Sequence, residues 1–120
     1  MEAFFARLVH EIGLKSVNSG NIHGCRLWHG CVTQNGYGRK KVSFPDGSKT
    51  IMLVHRVVYM CAHGTLDIPN IGEMSHLCHN KLCVNADHIV CESHEINMER
   101  YHCVQQGSCT GAHQPACLLE

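Results

Sequence analysis

The 120-residue sequence predicts a single small α+β domain, and three observations favour that class. Apolar residues at helical spacing occupy residues 1–14, and alternating residues with turn signals fill residues 25–54. Most of the cysteines and histidines lie in residues 73–117. We therefore divide the domain into an N-terminal helix and loop (1–24), a β region (25–54) and a Cys/His-rich core (73–117).

The segment Met1–Leu14 predicts a short amphipathic helix that packs on the core. Gly13 falls at its end, where glycine commonly terminates a helix. The polar segment Ser16–Gly24 predicts a loop. The apolar residues that recur at helical spacing are Phe4, Phe5, Leu8, Val9 and Ile12.

The β region predicts an antiparallel sheet of about three strands. Residues alternate along Tyr37–Phe44, the turn signature Pro45–Ser48 follows, and Lys49–Val54 predicts a returning strand. Asn35-Gly36 marks another turn before the first of these strands. His55–Ala62 then predicts a helix whose C-cap is the glycine at position 64.

Composition favours a metal-binding protein inside the cell. The chain has nine cysteines and eleven histidines, and it shows neither a signal peptide nor an apolar run of the roughly 20 residues that a membrane span needs. We therefore expect an intracellular protein, in the nucleus or cytoplasm, where dense cysteines bind metal rather than form disulfides. The formal net charge is zero, so a nucleic-acid partner requires positive charge concentrated on one face.

Cys78, Cys83 and His88, with four residues between each pair, predict three ligands of a tetrahedral zinc site. The fourth ligand must come from elsewhere in the chain. Cys25, just before the β region, is the best candidate, and Cys31 is the alternative. Four protein ligands leave no open position, so the metal is expected to be structural.

A second complete Cys₃His set lies within fifteen residues near the C-terminus. Five, three and three residues separate its members, and intervening glycine and proline residues allow the loop to wrap tightly. Zinc binding here would add folding free energy that a core of this size supplies poorly. The set consists of Cys103, Cys109, His113 and Cys117.

Two residues that neither zinc site requires are candidates for chemistry. The strands Met74–Cys78 and Ile89–Glu92 and a helix over Ser93–Tyr101 would bring His76 and Asn97 toward one cleft. A neutral imidazole can accept a proton from water, and an amide oxygen suits a hard cation such as Mg²⁺. Taken alone, the pair is better explained as a surface histidine and a helix asparagine.

Longer motifs change that balance, because they resemble a known enzyme family. The region around both candidates looks like the His-Cys box homing endonucleases, which belong to the His-Me finger (ββα-metal, HNH-like) nucleases. The stretches before it resemble the part that precedes this core in HNH nucleases. The matching segments are Ser75–Asn80, Cys83–Asn85, His88 and Glu92–Asn97, preceded by Cys25–Trp28, Gly36–Arg39 and Val54–Arg56.

The resemblance implies a zinc-stabilised ββα-metal domain with a preceding antiparallel sheet, and a DNA endonuclease. His76 matches the general base, and Asn97 matches the ligand of one catalytic Mg²⁺ or other divalent cation. Arg39 is our choice for the arginine that holds the scissile phosphate, with Arg56 as the alternative. The products would carry 5′-phosphate and 3′-hydroxyl ends. Both Cys₃His sets match structural zinc sites, and Cys25 matches the fourth ligand of the first.

Double-stranded DNA is thus the expected partner, and the resemblance also implies a homodimer. A two-stranded ribbon fits the major groove, so polar residues of the β region are candidates for sequence-specific contacts. The alternative is a catalytically inactive, zinc-containing DNA-binding module of the transcription-factor type, because this fold also occurs without the catalytic pair. The candidate DNA-binding residues are Arg39, Lys41, Lys49, Gln34 and Asn35.

Overall fold

The computed structural model describes residues 2–66, 73–107 and 115–118, and within these ranges the protein is α+β. Helices at both ends of the order flank short antiparallel strand pairs, so the predicted fold class is confirmed. The elements are α1 (Glu2–Leu14), β1 (Ser16–Asn18), β2 (Arg26–Trp28), β3 (Arg39–Ser43), β4 (Lys49–Leu53), α2 (Val54–His63), β5 (Glu73–His76), a 3₁₀ turn (Ala86–His88), β6 (Ile89–Glu92) and α3 (His94–Gln106).

Helices α1 and α2 pack together and supply most of the apolar core. The predicted N-terminal helix is confirmed, with Phe4, Leu8 and Ile12 buried along one face. Helix α2 ends at Gly64, which adopts φ 61° and caps the helix as predicted. Among the described residues, no helix is both long enough and apolar enough to cross a membrane.

Strands β3 and β4 form the predicted antiparallel ribbon. Val42 is fully buried in the core, whereas Arg39 and Lys41 are exposed, as their alternation predicted. Lys40 points to the other face, where its Nζ lies 2.7 Å from a carboxylate oxygen of Glu11 in α1. The ribbon is therefore attached to the helical core by one face and presents Arg39 and Lys41 on the other.

The sequence prediction of a three-stranded sheet was wrong. The described residues contain three separate two-stranded antiparallel sheets, β1–β2, β3–β4 and β5–β6. The segment predicted as a loop begins with β1, which pairs with β2 through Ser16↔Trp28 and Asn18↔Arg26. A strand of three residues carries too little alternation to be recognised, and its hydrogen bonds come from a distant partner.

Strand β2 also joins the β region to the core of the C-terminal half. The backbone nitrogen of Trp28 donates to the carbonyl of Leu82 at 2.8 Å, and that of Val84 donates to Arg26 at 2.7 Å. The Trp28 side chain is buried and its Nε1 donates to the carbonyl of Cys31 at 2.9 Å. A Cβ at Gly38 would lie 2.7 Å from the indole, so glycine is needed there for this packing.

Strands β5 and β6 and helix α3 form the predicted strand–loop–strand–helix unit. His76 pairs with Ile89 in the antiparallel register, and Ser93 caps α3 by accepting a hydrogen bond from the nitrogen of Ile96 at 3.3 Å. The helix continues past its predicted end near residue 101 and stops at Gly107, which adopts φ 78°. The extra turn buries Cys103 completely.

Candidate active site and zinc centre

Four zinc-ligand side chains meet where β2 contacts the loop after β5. Cys25 precedes β2, Cys78 and Cys83 come from the loop, and His88 ends the 3₁₀ turn. Their ligand atoms all lie within 4.8 Å of one another. An isolated β-bridge between Leu27 and Cys83 holds the two chain segments together. This Cys₃His set fits tetrahedral Zn²⁺. Cys25 and Cys31 were the two candidates for the fourth ligand, and the cluster contains Cys25.

The close approach of the cysteine and histidine side chains in this cluster shifts the pKa values of its thiols. His88 Nδ1 lies 3.5 Å from the sulfur of Cys25 and 3.4 Å from that of Cys83, so this ring nitrogen faces the metal position. A hydrogen bond from Cys78 lowers the pKa of Cys83 to about 4. Burial raises the pKa of Cys25. Zinc would stabilise all three thiolates and thereby remove this competition for protons.

The second predicted zinc set is only partly within the described residues. Cys103 is buried on α3, and Cys117 lies close enough for its sulfur to accept a hydrogen bond from Nη1 of Arg100 at 3.5 Å. Cys109 and His113 lie outside the described residues. The zinc site formed by these four residues stays a prediction.

His76 and Asn97, the two candidate catalytic residues, line the same small cavity of about 140 Å³. His76 is the last residue of β5, and Asn97 lies at the start of the second turn of α3. The β5–β6–α3 unit therefore brings together residues that are far apart in the sequence. The cavity is lined by Tyr37, Met74, Ser75, His76, His79, Lys81, Asn97, Arg100 and Tyr101.

The imidazole of His76 is held in one tautomer by the zinc loop. Its Nε2 lies 3.0 Å from the carbonyl oxygen of Cys83. Because a carbonyl can only accept a hydrogen bond, Nε2 carries the proton and Nδ1 keeps its lone pair. Burial lowers the pKa of His76, which keeps the ring neutral at physiological pH. Such a ring can accept a proton.

Two further rings pack near this imidazole, and neither was predicted as a site residue although both lie in segments that carry the family resemblance. His55, at the start of α2, has its ring centroid 4.9 Å from that of His76, and Tyr37 lies 5.3 Å from His55. Burial and the neighbouring charges of His76 and Arg56 lower the pKa of His55 to about 3. Its Nδ1 is buried and has no hydrogen-bond partner among the described residues. The rings of His55 and Tyr37 therefore pack around that of His76.

The carboxamide of Asn97 has a partner on each edge. Its Nδ2 donates to Glu73 at 2.6 Å, and its Oδ1 accepts from the hydroxyl of Ser75 at 2.9 Å. The second oxygen of Glu73 lies 2.7 Å from Nδ1 of His94. Hydrogen bonds from Asn97 and His94 lower the pKa of Glu73. Glu73 and Ser75 were not predicted, because the order of elements that places His76 near Asn97 does not show which neighbouring side chains contact the amide.

The predicted phosphate-binding arginine does not line this cavity. Arg39 lies on the exposed face of β3, beside a separate cavity of about 280 Å³ that is lined also by Lys15, Lys40 and Lys41. The alternative, Arg56, is near enough to His55 to depress the pKa of that ring. The arginine that does line the cavity, Arg100, was not predicted.

Arg100 lines the cavity but is committed to a structural ion pair. Its side chain is 1% exposed and binds both carboxylate oxygens of Glu92, with Nη2 3.0 Å from Oε2. Burial alone would lower the pKa of Arg100, but hydrogen bonds to Glu92 and Cys117 raise it. The guanidinium therefore stays charged and ties α3 to β6.

The candidate DNA-binding residues are accessible. Arg39, Lys41 and Lys49 are exposed on the β3–β4 ribbon, and Gln34 and Asn35 are exposed in the preceding turn. The backbone carbonyl of Asn35 accepts a hydrogen bond from Lys81 at 3.0 Å, and Lys81 also lines the cavity that holds His76. This turn is therefore connected to the wall of the candidate active site.

A family model described as the zinc-binding loop region of homing endonuclease matches residues 25–120. The chain belongs to this family. The match covers the Cys₃His cluster and the cavity with His76 and Asn97, and it confirms the resemblance to His-Cys box homing endonucleases. Membership in a homing endonuclease family supports a nuclease. No curated protein and no solved structure matches the chain.

Proposed function

We propose that this homing endonuclease family member hydrolyses phosphodiester bonds of double-stranded DNA at specific sequences. The observation that carries the proposal is that His76 and Asn97 line one cavity. The carbonyl of Cys83 engages Nε2 of the imidazole, and the other ring nitrogen, Nδ1, is not part of that hydrogen bond. A base and an oxygen ligand for a cation on one small cavity are what phosphodiester hydrolysis requires.

In this mechanism His76 takes the proton of the attacking water. The hydrogen bond from Nε2 to the carbonyl of Cys83 leaves Nδ1 as the nitrogen that can accept this proton, and it would stabilise the imidazolium that forms. Neutral His76 is the reactive form, which its lowered pKa maintains. His76 and Asn97 line one cavity, so the water that His76 activates and a cation held by Asn97 would meet there.

Asn97 would hold the catalytic divalent cation, Mg²⁺ in our proposal, through its amide oxygen. Such an ion, when bound, neutralises charge on the phosphate and on the departing oxygen. One protein oxygen suffices, because Mg²⁺ retains several waters and also binds phosphate oxygens. The products would carry 5′-phosphate and 3′-hydroxyl ends. Arg39 remains our proposed phosphate ligand, and Arg56, which lies near His55, is the alternative.

The β3–β4 ribbon is the proposed reading surface. Arg39 and Lys41 project from its exposed face, and Lys49 pairs with Ser43 at its end. A ribbon of this width enters the major groove, where arginine and lysine reach guanine and where Gln34 and Asn35 could contact adenine. In our proposal two structural zinc ions stabilise each chain, and two chains form a homodimer on the DNA.

The decisive experiment is cleavage of a random double-stranded DNA library with Mg²⁺, followed by sequencing of the ends. Wild-type protein should cut at a defined sequence and leave ends that ligase rejoins directly. His76→Ala should bind the selected site normally while cleaving about 10²–10⁴-fold more slowly. The control is His10→Ala, which removes an exposed histidine of α1.

Two outcomes would contradict the proposal. Full cleavage by His76→Ala would remove the proposed base. Specific binding without any cleavage by wild-type protein would instead identify the inactive DNA-binding module that the fold also allows.

A further inference from the structure

The amide of Asn97 could occupy its site in two orientations that differ only by exchange of oxygen and nitrogen. The two ends of a carboxamide have the same shape, but one accepts hydrogen bonds and the other donates them. Only the orientation with Oδ1 toward the cavity can ligate a cation. A reversed amide would direct N–H groups at the metal, so some feature of the protein must select between the two.

The partners of Asn97 differ in their ability to make this selection. A hydroxyl both donates and accepts, so Ser75, 2.9 Å from Oδ1, would tolerate either orientation. An ionised carboxylate only accepts. Glu73 therefore requires the NH₂ end of Asn97 at the 2.6 Å contact with its Oε1 and leaves the oxygen on the opposite edge. Ser75 occupies one lone pair of that oxygen, and the second is left for a ligand.

Glu73 is itself held between a strand and a helix. It begins β5, where it pairs with Glu92 of β6. Its Oε2 lies 2.7 Å from Nδ1 of His94, the first residue of α3. Both carboxylate oxygens are thus bonded to side chains of α3, which fixes the carboxylate relative to the helix that carries Asn97.

We propose that Glu73 is a positioning residue that orients the carboxamide of Asn97 so that its oxygen faces the catalytic cation, with His94 holding Glu73 in place. This inference rests on the proposed function, because it assigns a partner to the metal ligand of that reaction. Carboxylates that orient metal ligands from behind commonly contribute 10–100-fold in affinity. Both contacts of Glu73, to Asn97 and to His94, are made between side chains of this protein.

The test measures cation binding separately from cleavage. Mn²⁺ affinity of the zinc-loaded protein is determined by electron paramagnetic resonance, and the Mg²⁺ concentration for half-maximal cleavage of the DNA site is measured in parallel. Glu73→Ala should weaken both by about tenfold. Glu73→Gln should also weaken both, because its amide can donate as well as accept and therefore no longer requires the NH₂ end of Asn97.

Glu95→Ala is the matched control. It removes an exposed carboxylate from the first turn of α3 and should leave both quantities unchanged. A second measurement needs no variant at Glu73. In wild-type protein, the side-chain NH₂ resonances of Asn97 should include one proton shifted strongly downfield by its short bond to a carboxylate, and two ordinary amide protons would overturn the inference.

The outcomes separate this inference from the proposed function. Unchanged Mn²⁺ affinity in Glu73→Ala, with weakened affinity in Asn97→Ala, would overturn the positioning role and leave the nuclease intact. Wild-type affinity in Glu73→Gln would show that a partner that only accepts hydrogen bonds is not needed, which also overturns it. Absence of both Mn²⁺ binding and cleavage in wild-type protein would overturn the two proposals together.

Discussion

At the scale of single residues, His55 shows how burial prepares the surroundings of the candidate base. Its ring packs against His76 and Tyr37, and its Nδ1 is buried without a described partner. A second positive charge beside His76 would oppose proton uptake by that ring. Because burial keeps His55 neutral, that second charge is avoided. The folded protein loses stability, however, when acid protonates the ring.

We expect His55 to make the protein acid-sensitive. Its folded pKa of about 3 lies below the ordinary value of 6.5, so the unfolded chain binds the proton first as pH falls. The contribution of His55 to the free energy of unfolding is therefore fully present above about pH 6.5, and it decreases progressively as the pH falls toward 3. Between pH 6.5 and 5, urea unfolding should show wild type losing about 2 kcal/mol more than His55→Gln.

The matched control for this measurement is His63→Gln, an exposed histidine at the end of the same helix. It should leave the pH dependence of wild type unchanged. Protonation of the zinc ligands affects all three proteins alike, so the difference between variants isolates His55. A wild-type slope equal to that of His55→Gln would contradict the assignment.

At the scale of secondary-structure elements, the ion pair between Arg100 and Glu92 fastens α3 to β6. Arg100 is 1% exposed, and both carboxylate oxygens of Glu92 accept from it. Removing one member of a buried pair leaves an uncompensated charge, which typically costs about 3–5 kcal/mol. Because α3 carries Asn97, loss of this pair would also displace a residue of the candidate site.

Arg100→Ala should therefore lower the free energy of unfolding by about 3–5 kcal/mol, measured by urea denaturation of the zinc-loaded protein. The comparison is Arg7→Ala, which removes a half-exposed arginine whose Nε lies 3.8 Å from Glu11 within α1. Exposed pairs of this kind contribute about 0.3–0.5 kcal/mol. Similar losses of unfolding free energy in the two variants would show that the buried pair contributes no more than the exposed one.

The β3–β4 ribbon offers a prediction about DNA. If Lys41 contacts a phosphate, Lys41→Ala should weaken binding to all sequences and reduce the slope of log K against log salt concentration by about one. Lys40→Ala is the control on the neighbouring position, because Lys40 faces α1 and binds Glu11. Equal salt slopes for wild type and Lys41→Ala would place the DNA on another surface.

At the scale of the whole molecule, local patterns predicted what depends on local chemistry. Helix α1, the ribbon with Val42 turned inward, and the β5–β6–α3 order follow from periodicity and caps. The Cys₃His cluster follows from ligand spacing together with the resemblance. In each case the information lies within a few residues or in a motif of known spacing.

What could not be predicted depends on contacts between distant segments. Strand β1 is defined by its partner β2, and the three separate strand pairs result from how the chain packs rather than from alternation. The neighbours of His76 and Asn97, such as His55 and Glu73, are joined to them only in three dimensions. Helix α3 extends further than predicted because Cys103 contributes to the buried interior.

Metal should govern the stability of the entire domain. We expect about two zinc ions per chain, and we expect a strong chelator to abolish the cooperative unfolding transition, because zinc contributes about 10–16 kcal/mol in comparable small domains. Cys25→Ser should lose one zinc ion in elemental analysis. Cys31→Ser should keep the full content, since this exposed cysteine is not in the cluster.

Unchanged zinc content in Cys25→Ser would contradict the composition of the first site. Chelation without loss of the transition would show that the apolar core suffices alone.

One residue, Cys83, belongs to two kinds of chemistry at once. Its sulfur lies in the cluster, and its carbonyl oxygen holds the ring of His76. An engineer who wishes to swap the metal, for a cobalt probe or a redox-active ion, would therefore do best to redesign Cys25, Cys78 or His88 and spare Cys83. Any replacement at position 83 that shifts the main chain would alter the zinc site and, in our proposal, the base that activates water.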